Sequence, residues 1–172
     1  MKRIRLWLTM FLLRKKAKAL MTQKRFVSFY NRTCSVIFLM PHKKEMFDAA
    51  LNEIQKLPGH NKYTLIALSE NFSGAENVDE TILTTKEVFD LLGRPKEQLK
   101  SKIAEIKASI VIDLEPAGVP EHAWMSFASE AVDRVAVSDE GCNSLCNVRF
   151  RSEKSPENGN IYENFFNFLK MF

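Results

Sequence analysis

Apolar residues in this chain follow two rhythms. Ser35–Met40 (Ser-Val-Ile-Phe-Leu-Met), Tyr63–Leu68 and Ser109–Leu114 (Ser-Ile-Val-Ile-Asp-Leu) are nearly unbroken apolar or β-branched runs. The first stops at Pro41, and the third runs into Glu115, Pro116 and Gly118. Short runs of this kind, closed by breakers, predict strands buried on both faces, as in a parallel sheet. Glu80–Thr84, Arg134–Ser138 and Val148–Phe150 read as shorter strands. Between them the period changes to that of a helix. Glu45–Leu57 places Phe47, Ala50, Leu51, Ile54 and Leu57 on one face before Pro58 and Gly59. Thr85 is expected to cap a short helix through Leu92, with Gly93 at its stop and Pro95 beyond. Lys96–Ala108 carries Leu99, Ile103 and Ile106. Pro120 opens another helix at a favourable first position, with Trp124, Phe127, Ala128 and Ala131 inward. After a loop at Asp139–Asn147 and a polar stretch at Ser152–Asn160, Ile161–Phe172 presents Tyr162, Phe165, Phe166 and Leu169 on one face. Strands alternating with helices predict an α/β protein. The expected form is a single Rossmann-like domain over residues 34–172, with a mostly parallel sheet flanked by helices.

Residues 1–33 differ in kind. Ile4–Leu13 is apolar apart from Arg5 and Thr9, and Arg14, Lys15, Lys16 and Lys18 follow. About 20 apolar residues are needed to cross a bilayer, so this helix is too short to span one. Its apolar core also runs into basic residues instead of a small-residue cleavage site, which argues against a signal peptide. Two readings stay open. Trp7 and Phe11 beside Arg14, Lys15, Lys16 and Lys18 suit the interface of an anionic bilayer. Alternatively, the helix packs on the domain and its lysines are merely solvated. Residues 24–32 read as a polar connector carrying Phe26, Phe29 and Tyr30.

Charge sharpens this division. Twelve Lys or Arg and no acid lie in residues 1–44, whereas the remaining 13 basic residues face all 21 acidic ones, a net −8. An acidic domain behind a basic leader argues against a nucleic-acid fold and for an anionic surface near the N-terminus. Cys34, Cys142 and Cys146 lack the paired spacing of a zinc site and read as reduced thiols, so no metal is expected.

Candidate chemistry is sparse. The first strand leads into Pro41-His42-Lys43-Lys44, without the glycines that let backbone amides approach a phosphate, so no nucleotide cofactor is expected in that turn. Lys43 and Lys44 could hold an anion as point charges or simply be solvated. In open α/β sheets ligands gather at the carboxyl ends of the strands. His42 and Asp113 fall at two such ends and could converge as a base with an orienting carboxylate. His60 and His122 have no evident partners.

The opening strand and helix (Ser35–Leu57) and the Ile-Val-Ile-Asp-Leu strand with its following helix resemble a known family. Together with Asn147-Val148-Arg149-Phe150 before Ile161-Tyr162-Glu163-Asn164, they are similar to the N-terminal domain of glycosyltransferases of the lipopolysaccharide heptosyltransferase type. The resemblance spans about residues 34–172. It implies one half of a two-domain GT-B enzyme, working on cell-envelope glycolipid with a second Rossmann-like chain as partner. In that family a Gly-Asp pair follows the first strand and supplies the presumed base; here His42 and Lys43 stand beyond Pro41 instead. The resemblance therefore implies a degenerate relative, catalytically incomplete alone. The alternative is a non-catalytic membrane-surface or protein-interaction module on the same fold.

Overall fold

The computed structural model describes residues 2–20, 26, 29–72, 74–151 and 160–172. Its elements run α1 (Lys2–Leu20), β1 (Ser35–Leu39), α2 (Lys44–Ile54), β2 (Lys62–Leu68), β3 (Glu80–Thr84), α3 (Glu97–Glu105), β4 (Ile110–Asp113), α4 (Pro120–Ala128), β5 (Asp133–Ala136), β6 (Val148–Arg149) and α5 (Asn160–Leu169). The six strands form one all-parallel sheet in the order β3-β2-β1-β4-β5-β6. This is the doubly wound Rossmann-like arrangement. The strand order reverses between β1 and β4, where the crossovers leave toward opposite faces and open a crevice.

Alternation along β1 feeds two cores. Val36, Phe38 and Met40 point to one face of the sheet, where α2 and α5 deliver Phe47, Ile54, Tyr162, Phe165 and Phe166. Ile37 and Leu39 point to the other, against Leu99 and Ile103 of α3 and Met125 and Ala128 of α4. All four β1 residues from Val36 to Leu39 are fully buried, which is why the run shows no polar alternation. At about 25 cal/mol per Å² of apolar area, these side chains carry most of what holds the sheet to its helices.

α1 forms a third layer. Leu13 and Ala17 pack on Ala123 and Phe127 of α4 and on Cys142, whose thiol lies 3.2 Å from the Met10 sulfur. One face of the leader helix is thus docked on the domain. Part of the connector also belongs to the core: Phe29 is fully buried and stacks on Tyr30, a correction to its reading as a polar link. Residues 24, 25, 27 and 28 of that connector lie outside the described residues. Asn61 holds the join, its amide donating to the Phe29 carbonyl while its oxygen accepts from Cys34 N–H.

Thr85–Leu92 does not form the expected helix. A 3-10 turn covers Lys86–Val88, and Phe89 then bridges to Pro95. The Asp90 carboxylate accepts from the N–H groups of Leu92 and Arg94, and this local closure competes with helical hydrogen bonding. A further 3-10 turn, Gly141–Leu145, interrupts the loop expected at Asp139–Asn147. The polar stretch at 152–159 lies outside the described residues.

Candidate functional site

The crevice at the strand reversal is built by two loops that lock each other. Gly118 and Gly141 meet back to back with φ of +61° and +51°. Any Cβ on Gly118 would strike the Glu140 carbonyl, and one on Gly141 would lie 2.5 Å from the Ala117 carbonyl. Cys142 N–H donates to the Gly118 carbonyl, and the Asn143 side chain donates to the Glu115 carbonyl and to Ser138 Oγ. These contacts fix where α4 starts. Its third residue, His122, is thereby held beside the end of β4.

His122 Nδ1 donates to Asp113 Oδ1 at 2.7 Å, with both side chains almost wholly buried. The same Asp113 oxygen accepts the Glu115 N–H at 3.0 Å. Glu115 is also buried, and its carboxylate ties the two strand ends together by accepting from His42 N–H and Ala117 N–H. The His42 ring stands edge-on to the His122 ring, with centroids 5.0 Å apart. Asp113, His122 and His42 therefore run in sequence from the interior to the crevice.

Charge divides the two imidazoles. Burial works against protonating His122, but the adjacent Asp113 charge and hydrogen bond, aided by Glu115 and Glu121, outweigh it and raise its pKa above the ordinary histidine value. Burial of His42 and the neighbouring His122 lower the pKa of His42, despite the pull of Glu115, Glu121 and Asp113. The Asp113 charge therefore favours a proton on His122, while His42 holds its own less tightly than an ordinary histidine. A neutral imidazole at the mouth of a crevice can accept a proton from a bound hydroxyl.

His42 lines a cavity of about 710 Å³ over the ends of β1, β2 and β3. Lys86, Asp90 and Glu121 supply its polar groups, and Phe89, Leu91 and Met125 much of its apolar wall. Its size and mixed lining are those of a small-molecule site. Carboxylates suited to accept from hydroxyls lie there beside an aromatic ring.

His42 and Asp113, expected as a direct pair, are joined through His122, which sits between them; the expectation that His122 lacks a partner is corrected by its bond to Asp113. Lys43 is exposed where α2 begins, and Lys44 is engaged by Asp48 at 2.5 Å and lies over the Phe47 ring; neither lines the cavity. On α1, Trp7, Phe11, Arg14, Lys15 and Lys18 are exposed, whereas Lys16 is half-buried over the rings of Trp124 and Phe127. Glu115, Glu121 and His122 are the site residues that sequence reading missed. Among the described residues, no group of three or more His, Cys, Asp or Glu could hold a metal ion.

No protein-family model matches the chain, and no curated protein is similar to it in sequence. Among solved structures, the chain is similar to a glycosyl transferase family 9 protein from Veillonella parvula DSM 2008. The TM-score is 0.57 at 14% sequence identity, covering 88% of this chain and 44% of that one. The chain thus has a fold like that of a family 9 glycosyltransferase and spans less than half the length of that protein.

Proposed function

We propose that this is a glycosyltransferase-like domain, related to the heptosyltransferases, that serves cell-envelope glycolipid synthesis by holding the acceptor sugar. The observation that carries the reading is His42 at the cavity, standing edge-on to His122, which is bonded to the buried Asp113 carboxylate. In such a reaction the acceptor oxygen attacks the anomeric carbon of a nucleoside-diphosphate sugar. The bond to the diphosphate breaks, and the acceptor proton passes to His42. Asp113 and His122 act as positioning residues that keep His42 unprotonated and in place. The donor is held by a second Rossmann-like domain, so this domain is catalytically incomplete alone.

Thermal melting tests the reading. Core oligosaccharide from lipopolysaccharide, at ~100 times its dissociation constant, should stabilise the protein by about 2.7 kcal/mol. For a chain of this size that is a shift of about 5–10 °C. His42→Gln and Glu121→Gln should weaken that shift, while an ADP- or UDP-sugar alone should produce none. A clear shift with the nucleotide sugar alone would place a donor site here and refute the division of labour. No shift with any sugar would favour the non-catalytic module, a reading already suggested by His42 and Lys43 standing in place of a Gly-Asp pair.

A further inference from the structure

The outer face of α1 carries two kinds of residue in a fixed order. Trp7, Leu8, Phe11, Arg14, Lys15 and Lys18 are exposed, and their spacing makes one continuous stripe along a helix of 3.6 residues per turn. Thr9, Leu13 and Ala17 form the opposite, buried stripe against the domain. The exposed stripe is not ordinary surface. Trp7 and Phe11 are 67% and 56% accessible and stack on each other, with ring centroids 6.0 Å apart. Leu8, 40% accessible, lies beside them. The second half of the stripe is entirely basic, and no acid occurs before Glu45.

We infer that this stripe docks the protein on an anionic bilayer, Trp7, Leu8 and Phe11 entering the interface while Arg14, Lys15 and Lys18 lie along the headgroups. The inference is independent of the proposed function. It rests on charge complementarity joined to an apolar end. Aromatic rings favour the bilayer interface, and cations near an anionic leaflet contribute electrostatic attraction. No helix among the described residues is long and apolar enough to cross a membrane, so α1 lies in the surface plane. A nucleic acid would use the basic half and leave the stacked rings without a role. A second copy of the chain would set basic stripe against basic stripe, or cover apolar rings with lysines.

The placement on the domain adds a geometric consequence. Met10 meets Cys142, beyond the carboxyl end of β5, while Lys16 lies over Trp124 and Phe127 along α4. α1 therefore runs beside α4 with its apolar end toward the crevice end of the sheet.

The test uses the full chain and vesicles of phosphatidylglycerol with phosphatidylcholine, against phosphatidylcholine alone. Flotation should show binding to the anionic vesicles, and brominated lipid should quench tryptophan fluorescence. Trp7→Phe should retain binding and abolish the quenching. Lys15→Gln with Lys18→Gln should lower partitioning about 30-fold, at about 1 kcal/mol per cation. Phe11→Ser with Leu8→Ser should lower it by more than about tenfold through the apolar area withdrawn. All these side chains are exposed, so unchanged melting curves will show that the variants are folded. Equal binding to neutral and anionic vesicles would overturn the inference, as would persistent quenching in Trp7→Phe. Tighter binding to a random oligonucleotide, or a dimer dispersed by the Phe11 and Leu8 changes, would do the same.

Discussion

Asp113→Asn separates the charge of the buried pair from its shape. The asparagine oxygen can still accept from His122 Nδ1 and from Glu115 N–H, so the hydrogen-bond count is kept while the carboxylate charge is lost. A hydrogen bond to a charged group contributes about 1.5–3 kcal/mol and a neutral one about 1, so the substitution should cost up to about 2 kcal/mol while His122 is protonated. Because the folded pKa of His122 is raised, native stability from its proton is complete below the unfolded value of about 6.5. That stability is lost as pH rises through the folded pKa. The cost of Asp113→Asn should therefore be largest near pH 6 and shrink to about 1 kcal/mol or less once His122 is neutral. His42 titrates in the opposite sense: its lowered pKa gives stability above the unfolded value that is lost as pH falls through the folded one. The comparison is therefore made in a His42→Gln background, which removes that second titration. Urea and thermal melts at a series of pH values from about 6 upward provide the assay, and the thermal midpoint at the lowest pH should fall by up to roughly 4–8 °C. A loss that stays the same across the series would refute the reasoning, because the cost would then not follow the proton of His122 and Asp113 would act through shape. Asp113→Ala, which leaves His122 buried without its acceptor, should cost about 3–5 kcal/mol at the lowest pH.

Other substitutions test the frame around the site. Gly118→Ala combines a left-handed backbone with a clash against the Glu140 carbonyl and should cost more than about 3 kcal/mol in urea melts, whereas Gly59→Ala, with open space around it, should change stability by less than about 1 kcal/mol. Tyr162→Phe removes the hydroxyl donated to the Leu114 carbonyl at 3.0 Å and should cost about 1–2 kcal/mol, leaving oligosaccharide binding unchanged in the melting assay. Asn61→Ala frees the Phe29 carbonyl and the Cys34 N–H together. It should cost about 2–3 kcal/mol and speed proteolytic cleavage ahead of β1, read by mass spectrometry.

The elements that sequence reading placed correctly are those whose pattern has one physical cause. β1, β2 and β4 are covered on both faces, so their residues had to be apolar throughout, and the runs end where the chain meets the crevice. α5 shows its buried face because Tyr162, Phe165, Phe166 and Leu169 pack on one side of the sheet while Glu163, Asn164 and Asn167 stay exposed. Thr85–Leu92 misled because a capping threonine and a terminal glycine also suit a turn. The deciding interaction is the Asp90 carboxylate closing on Leu92 and Arg94, which leaves Leu91 exposed at the cavity rim. In α1 the apolar residues lie on both faces, so periodicity could not say which face is covered. The buried stripe of Thr9, Leu13 and Ala17, with Leu13 and Ala17 packed on Ala123 and Phe127 of α4, decides it.

The site was half legible, and the missing half has a definite cause. His42 and Asp113 follow from the rule that ligands gather at strand ends, which needs only local pattern. His122 does not, because its position depends on how sharply the chain turns between β4 and α4. That turn is set by Gly118 pressed against Gly141, 23 residues later, and by Asn143 reaching the Glu115 carbonyl. A usable signal was nevertheless present. Pro120 marks the first helical residue, so His122 lies in the first turn of the helix that follows Asp113. Had that been followed, Asp113 would have been paired with His122 and His42 left facing the cavity. The difference is chemical as well as geometric. A carboxylate bound directly to His42 would raise its pKa, whereas Asp113 spends its charge and hydrogen bond on His122, and burial beside that ring lowers the pKa of His42.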